Sequence, residues 1–190
     1  MKRKILLLSL LAICFSIAAV GSYAFFTTEG TAKNVITTGN IRIEVVEKML
    51  DGTELVDFPN EGVSGVLPGT SVSKIVQVKN VGQADAWVRL RVAVSAESEA
   101  GEPLDASLVS FAPSESWLDG GDGFYYCKTA VPAGGTTEAL FREVTFSPEM
   151  DNSFGTSTIR VRVEAHAVQT ANNPIPGGGD VTGVQGWPQA

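Results

Sequence analysis

The chain has 190 residues, 44% of them apolar, and carries 21 acidic against 14 basic side chains for a net charge of -7. A surplus of acid removes the basic face that nucleic acid or an anionic lipid surface needs, which excludes both as principal partners. The length suits one domain with a real core and is short for two.

The first 24 residues read as a secretory signal. A basic triplet, Lys2, Arg3 and Lys4, precedes an apolar run from Ile5 to Val20 and a small-residue junction, Ser22-Tyr23-Ala24. The basic end stays in the cytoplasm, the apolar run enters the bilayer, and the small side chains fit a peptidase pocket. Cleavage is expected between Ala24 and Phe25. The run is shorter than the roughly 20 residues of a stable span, so membrane contact is expected only in transit and the product is placed outside the cell, in the matrix or at the surface. A lipidated Cys14 is disfavoured because Ile13 stands where a small residue is needed. Cleavage removes three basic and no acidic residues, leaving 11 basic against 21 acidic, a net charge of -10. It also leaves Cys127 as the one cysteine, so no intrachain disulfide is available. The aromatic run Phe124-Tyr125-Tyr126 before Cys127 predicts a buried thiol acting as a small apolar residue.

Residues 25–37 form a candidate donor strand. Phe25, Phe26, Val35 and Ile36 supply apolar anchors, and Thr27, Thr28, Thr31 and Thr37 favour extended backbone. Fully extended, the segment reaches about 43 Å at about 3.3 Å per residue, enough to cross to a neighbouring molecule. Gly30 and Asn34 weaken it as one continuous strand, and the competing reading is a first strand folded back into its own domain.

Residues 38–170 carry a period of two. Ile41, Ile43 and Val45 alternate with Arg42 and Glu44; Val88, Leu90, Val92 and Val94 alternate with Arg89 and Arg91; Ile159, Val161, Val163, Ala165 and Ala167 alternate with Arg160, Arg162, Glu164 and His166. A polar-studded run from Val72 to Val78 and aromatic or β-branched clusters at 123–129 and 140–146 add further strands. Such alternation buries one face and wets the other, the mark of antiparallel strands. Turn sequences at Asp51-Gly52, Pro68-Gly69, Asn80-Val81-Gly82, Gly101-Glu102-Pro103, 119–123 and Pro132-Ala133-Gly134-Gly135 separate them. The expected class is all-β, a jelly-roll-like antiparallel sandwich of about seven strands with little helix. Helix is limited to a turn or two at 105–111 with Asp105 as cap, and residues 171–190, rich in Gly and Pro, read as a flexible tail.

Chemistry-bearing residues are sparse. The one histidine, His166, shares a strand face with Arg160, Arg162 and Glu164 and is expected to face solvent. A zinc hydrolase needs paired histidines, as in His-Glu-x-x-His, and a serine hydrolase a Gly-x-Ser-x-Gly elbow; neither is present. Cys127 and His166 lack any flanking motif of a cysteine protease. The 119–123 turn holds Asp119 and Asp122, but two acids without a full loop pattern describe a hairpin better than a calcium site. No catalytic residue, metal ligand or cofactor is assigned, and the enzyme question is left open on the side of no activity.

Three stretches resemble the TasA/camelysin family: Ser22-Tyr-Ala-Phe-Phe-Thr-Thr-Glu followed by Asn34-Val-Ile-Thr-Thr-Gly-Asn-Ile-Arg-Ile-Glu; Leu67-Pro-Gly-Thr with Lys74-Ile-Val-Gln-Val-Lys-Asn-Val-Gly-Gln-Ala-Asp-Ala-Trp-Val-Arg; and Gly123-Phe-Tyr-Tyr-Cys-Lys, Leu140-Phe and Ile159-Arg-Val-Arg-Val-Glu-Ala-His-Ala-Val-Gln-Thr. The likeness implies a Gram-positive secreted jelly roll cut by a dedicated signal peptidase. It also implies assembly into extracellular filaments of the biofilm matrix by donor-strand complementation, with self or a related matrix protein as partner. Two alternatives stay open: an accessory surface protein of the same fold that does not polymerise, and a camelysin-like metallopeptidase, whose zinc motif this sequence lacks.

Overall fold

The computed structural model describes residues 41–60, 62–63, 66–171 and 173–188, together with the backbone of 34–36. The expected signal with its junction at Ala24 and Phe25, and the anchor Phe26, lie outside the described residues. Among the described residues eleven strands and three short 3-10 turns make an all-β, mostly antiparallel sandwich, as the alternation predicts.

The front sheet has the order β1 (Asn34–Ile36), β11 (Thr158–Gln169), β6 (Ala86–Glu97), β9 (Tyr125–Cys127), β8 (Trp117–Asp119). Its backbone is the β6–β11 pair, antiparallel over all twelve residues from Ala86↔Gln169 to Glu97↔Thr158. β1 alone is parallel, setting Asn34, Val35 and Ile36 against Glu164, Ala165 and His166.

Behind it lie two three-stranded sheets, β3 (Glu54–Asp57), β2 (Ile43–Asp51), β5 (Ile75–Asn80) and β4 (Ser71–Ser73), β10 (Glu143–Phe146), β7 (Val109–Ser110). Irregular backbone joins them into one bent layer. Lys74 donates its N–H to Arg142 at 3.0 Å, Leu140 to Val76 at 2.8 Å, Thr137 to Val78 at 2.9 Å and Asn80 to Gly135 at 2.8 Å. The register slips by one residue between Val76 and Val78, the signature of a bulge, which bends the layer over the core. The β2–β3 hairpin closes on Gly52 at φ 62, the positive angle that a two-residue turn places at its first central residue.

Ile41, Ile43, Val45, Val76 and Val78 from the back layer meet Val88, Leu90, Val163, Ala165 and Ala167 from the front, all essentially inaccessible. The end of the sandwich nearest Ala86 is tied by Asn80, fully buried. Its Nδ2 donates to the carbonyls of Ala84 (2.8 Å) and Val131 (3.0 Å), and its Oδ1 accepts from the Gly82 N–H (3.0 Å). Toward the opposite end a buried ion pair, Lys74 Nζ to Glu47 Oε1 at 3.0 Å, sits under the Phe58 ring, 3.8 Å from the ammonium.

Two expectations are corrected. The supposed flexible tail is seated: residues 173–188 lie against the outer face of the front sheet, where Val181 and Val184 are 2% exposed and pack with Phe124, Tyr126 and Val168. His166, expected in solvent, is 0% exposed because that segment and the Phe124 ring cover its face of the sheet. Composition misleads here because a Gly- and Pro-rich segment still docks when a few apolar side chains meet an apolar surface. Cys127 is buried, and burial pushes its thiol up, which suits packing rather than reactivity. At 105–111 the chain makes a single 3-10 turn, Ala106–Leu108, capped by the Asp105 carboxylate, before entering β7.

Candidate functional site: the outer edge of β11

β11 is the strand that the candidate donor meets. Its far edge pairs with β1 only at Glu164, Ala165 and His166; among the described residues no strand pairs with that edge at Thr158–Val163. The apolar side chains of the same stretch are less covered than the rest of the core. Val163, Ala165 and Ala167 are fully buried, whereas Ile159 and Val161, with Val92 and Val94 beside them on β6, are only half-buried. An unpaired edge beside a half-covered apolar strip is what an added strand satisfies. The backbone of Val35 and Ile36 lies on this edge; Phe25 and Phe26 fall outside the described residues.

The other face of the same strand pair is closed by a polar cluster. Arg89 on β6 is its hub. The guanidinium donates to His166 Nδ1 (Nε at 3.3 Å, Nη2 at 3.1 Å), to the Tyr126 hydroxyl (3.2 Å) and to the Pro188 carbonyl (3.3 Å). It also stacks 3.8 Å above Phe124 and 4.8 Å from the Trp187 ring. Arginine has no acceptor, so His166 Nδ1 must accept, and the ring proton sits on Nε2, which donates to Glu164 at 2.8 Å. Both ring nitrogens are thereby committed. Tyr126 passes its own proton toward Asp122 at 2.7 Å. Burial acts to raise Asp122, but the Tyr126 hydroxyl, backbone N–H donors including that of Phe124, and the Arg89 charge outweigh it and hold its carboxyl below the usual range. Burial and the Asp122 hydrogen bond push the Tyr126 phenol up. Trp87 donates its indole N–H to the Asn173 carbonyl at 2.8 Å, fixing where the segment leaves the sheet.

This cluster is structural chemistry. A nucleophile and base need a free ring nitrogen near a thiol or hydroxyl, and His166 has none; Cys127 packs in the main core while His166 lies on the opposite face of the sheet. Among the described residues no three potential metal ligands cluster, and no helix is long and apolar enough to cross a membrane. The 119–123 turn is tied by its own acids, Asp119 accepting from Gly121 N–H and Asp122 from Phe124 N–H.

The hub was partly legible beforehand. Alternation alone sets Arg89 and Arg91 on the face of Glu164 and His166; Val168 and Trp87, apolar in the polar phases of β11 and β6 and opposite each other, are the signs that the face is covered. No protein-family model matches the chain, and no match was found among curated proteins or solved structures.

Proposed function

We propose that the chain is a secreted structural subunit of extracellular filaments or biofilm matrix, joined when the N-terminal segment of one copy adds to the β11 edge of the next. The observation that carries this is the edge itself: a twelve-residue strand whose Thr158–Val163 stretch has no strand partner on one side among the described residues, with Ile159 and Val161 half-covered beneath. Continuing the β1 register along β11 would set Glu29, Thr31 and Lys33 against Ile159, Val161 and Val163, placing charges on an apolar strip. A segment from a second copy is free of that register and can present Phe25 or Phe26 instead. Donor and acceptor are different surfaces, so each subunit uses both and the contact propagates.

The test is electron microscopy of purified protein. Filaments are expected and should disappear on deleting 25–36; filaments that persist unchanged would refute the mechanism. A second reading is supported by β1 pairing with β11 of its own chain: an accessory surface subunit that stays monomeric and joins a partner's fibre sparsely. The metallopeptidase alternative draws no support from a lone histidine with both nitrogens engaged.

A further inference from the structure

Arg89, Arg91, Arg160 and Arg162 stand on the outer face of the β6–β11 pair, and all but the last are answered. Arg89 is taken up by His166, Tyr126 and the Pro188 carbonyl. Arg91 lies 3.8 Å from Glu164, and Arg160 lies 2.8 Å from Glu97. Arg162 is exposed and has no ion-pair partner among the described residues. The residue opposite it on β6 is Ala93, and the nearby Glu164 is already engaged by Arg91 and by His166 at 2.8 Å. On its other side runs Thr158–Val163, the stretch of edge with no strand partner among the described residues. The unanswered charge therefore borders the place where an added strand sets a side chain.

Alternation restricts what that side chain is. Along β11, Ile159 and Val161 lie over the core while Arg160 and Arg162 face outward. A donor with Phe26 turned in onto the half-covered strip has Glu29, three residues on, turned out, whichever way it runs. With Phe25 turned in instead, Glu29 follows it and sets a carboxylate on apolar surface. Direction and register are restricted next. A parallel donor with Phe26 against Ile159 sets Thr28 against Val161, Glu29 against Arg162 and Gly30 against the fully buried Val163. Moving Phe26 to Val161 in the same direction sets Glu29 against Glu164, and an antiparallel donor on either residue carries Glu29 to Thr158 or Thr156. One placement over the strip joins the acid to the arginine. It covers Thr158–Val163 and stops where β1 begins at Glu164.

We propose that Arg162 is the register-setting residue of the acceptor edge and that its partner is Glu29 of a second copy of this chain. This rests on the strand addition proposed above and specifies it: the donor runs parallel to β11 with Phe26 on Ile159. A chain's own β1 register sets Glu29 against Ile159, three residues out of step, so the charge pair separates a neighbour's segment from the chain's own. Opposite charges across a strand pair attract and like charges repel, so the pair acts on phase as well as on strength.

The test is the critical concentration for filament assembly of the protein beginning at Phe25, read by pelleting and electron microscopy. Glu29→Arg alone and Arg162→Glu alone should each raise it by about fivefold, because each sets like charges across the joint. Near-ultraviolet circular dichroism and Tm should match the parent. An equal mixture of the two variants should assemble within about twofold of the parent, since each donor then finds an acceptor of opposite charge on the other variant. A single variant that assembles as the parent does, or a mixture no better than its components, overturns the charge register. Deleting 25–36 in the same assay separates this from the wider reading. Assembly lost on deletion but indifferent to both charge reversals leaves strand addition standing and removes the role of Arg162; filaments that survive the deletion, or a parent that forms none, overturn both.

Discussion

Trp187→Ala is the sharpest probe of the seated C-terminal segment. Trp187 stacks edge-on to Tyr126 with ring centroids 5.6 Å apart, lies 4.8 Å from the Arg89 guanidinium and stays half-buried. Truncating a fully buried tryptophan costs about 3–5 kcal/mol. Partial exposure reduces this by roughly half, and the figure already includes an aromatic pair of about 1 kcal/mol, so about 2 kcal/mol is expected. For a chain of this size each kcal/mol moves Tm by about 2–4 °C, which predicts a fall of about 4–8 °C. Thermal circular dichroism reads the fall, and hydrogen exchange should speed selectively at the amides of Phe124–Cys127 and Val168. The exposed neighbour Gln185→Ala serves as the control and should move Tm by less than about 1 °C. A Trp187→Ala protein indistinguishable from that control would refute the seated segment and, with it, the explanation of why His166 is buried.

Further outcomes follow from other contacts. Asn80→Ala strands the Gly82 N–H and the Ala84 carbonyl at the closed end and takes one of two donors from the Val131 carbonyl, which keeps the Ala86 N–H, so a loss of about 2–3 kcal/mol is expected in chemical denaturation. Asp122 is held below its ordinary range in the folded chain. Its contribution is therefore complete above the unfolded carboxylate value of about 4 and is lost as pH falls through the folded value; Asp122→Asn should flatten Tm against pH in that acid window. Gly120→Ala would set a methyl 2.5 Å from Tyr126 Cε2, pushing the ring off Asp122 and Arg89, and is expected to lower Tm and weaken that same acid dependence, since the Phe124 N–H still holds the carboxylate. Removing one partner of the buried Glu47–Lys74 pair, as in Lys74→Ala, should cost about 3–5 kcal/mol in the same denaturation assay.

Alternation at Ile41–Val45, Val88–Val94 and Ile159–Ala167 was enough to read the class and the main inward-facing residues, because a half-buried strand must repeat every second residue. The bent back layer was not readable. Its bend depends on a one-residue slip between β5 and the irregular chain at 135–142, a segment whose residues show no strand period and are held by their neighbour's backbone. His166 was misread for a related reason: the polar phase of β11 says which face a side chain takes, and a segment more than ten residues away decides whether that face is wet. The candidate site divides in the same way. Val35 and Ile36 stand out in the sequence as β-branched apolar residues, but the parallel seat of their backbone beside Glu164–His166 and the half-covered strip at Ile159 and Val161 appear only once β11 is placed at the sheet edge.

Strand addition at that edge is tested most directly by a photo-cross-linking residue in place of Phe26, in assemblies mixed from isotopically labelled and unlabelled protein. The account predicts mixed-label cross-links from position 26 to residues 158–163 of β11 or to Val92 and Val94 beside it. Cross-links confined within single chains, or joining position 26 of one copy to some other surface of the next, would contradict it.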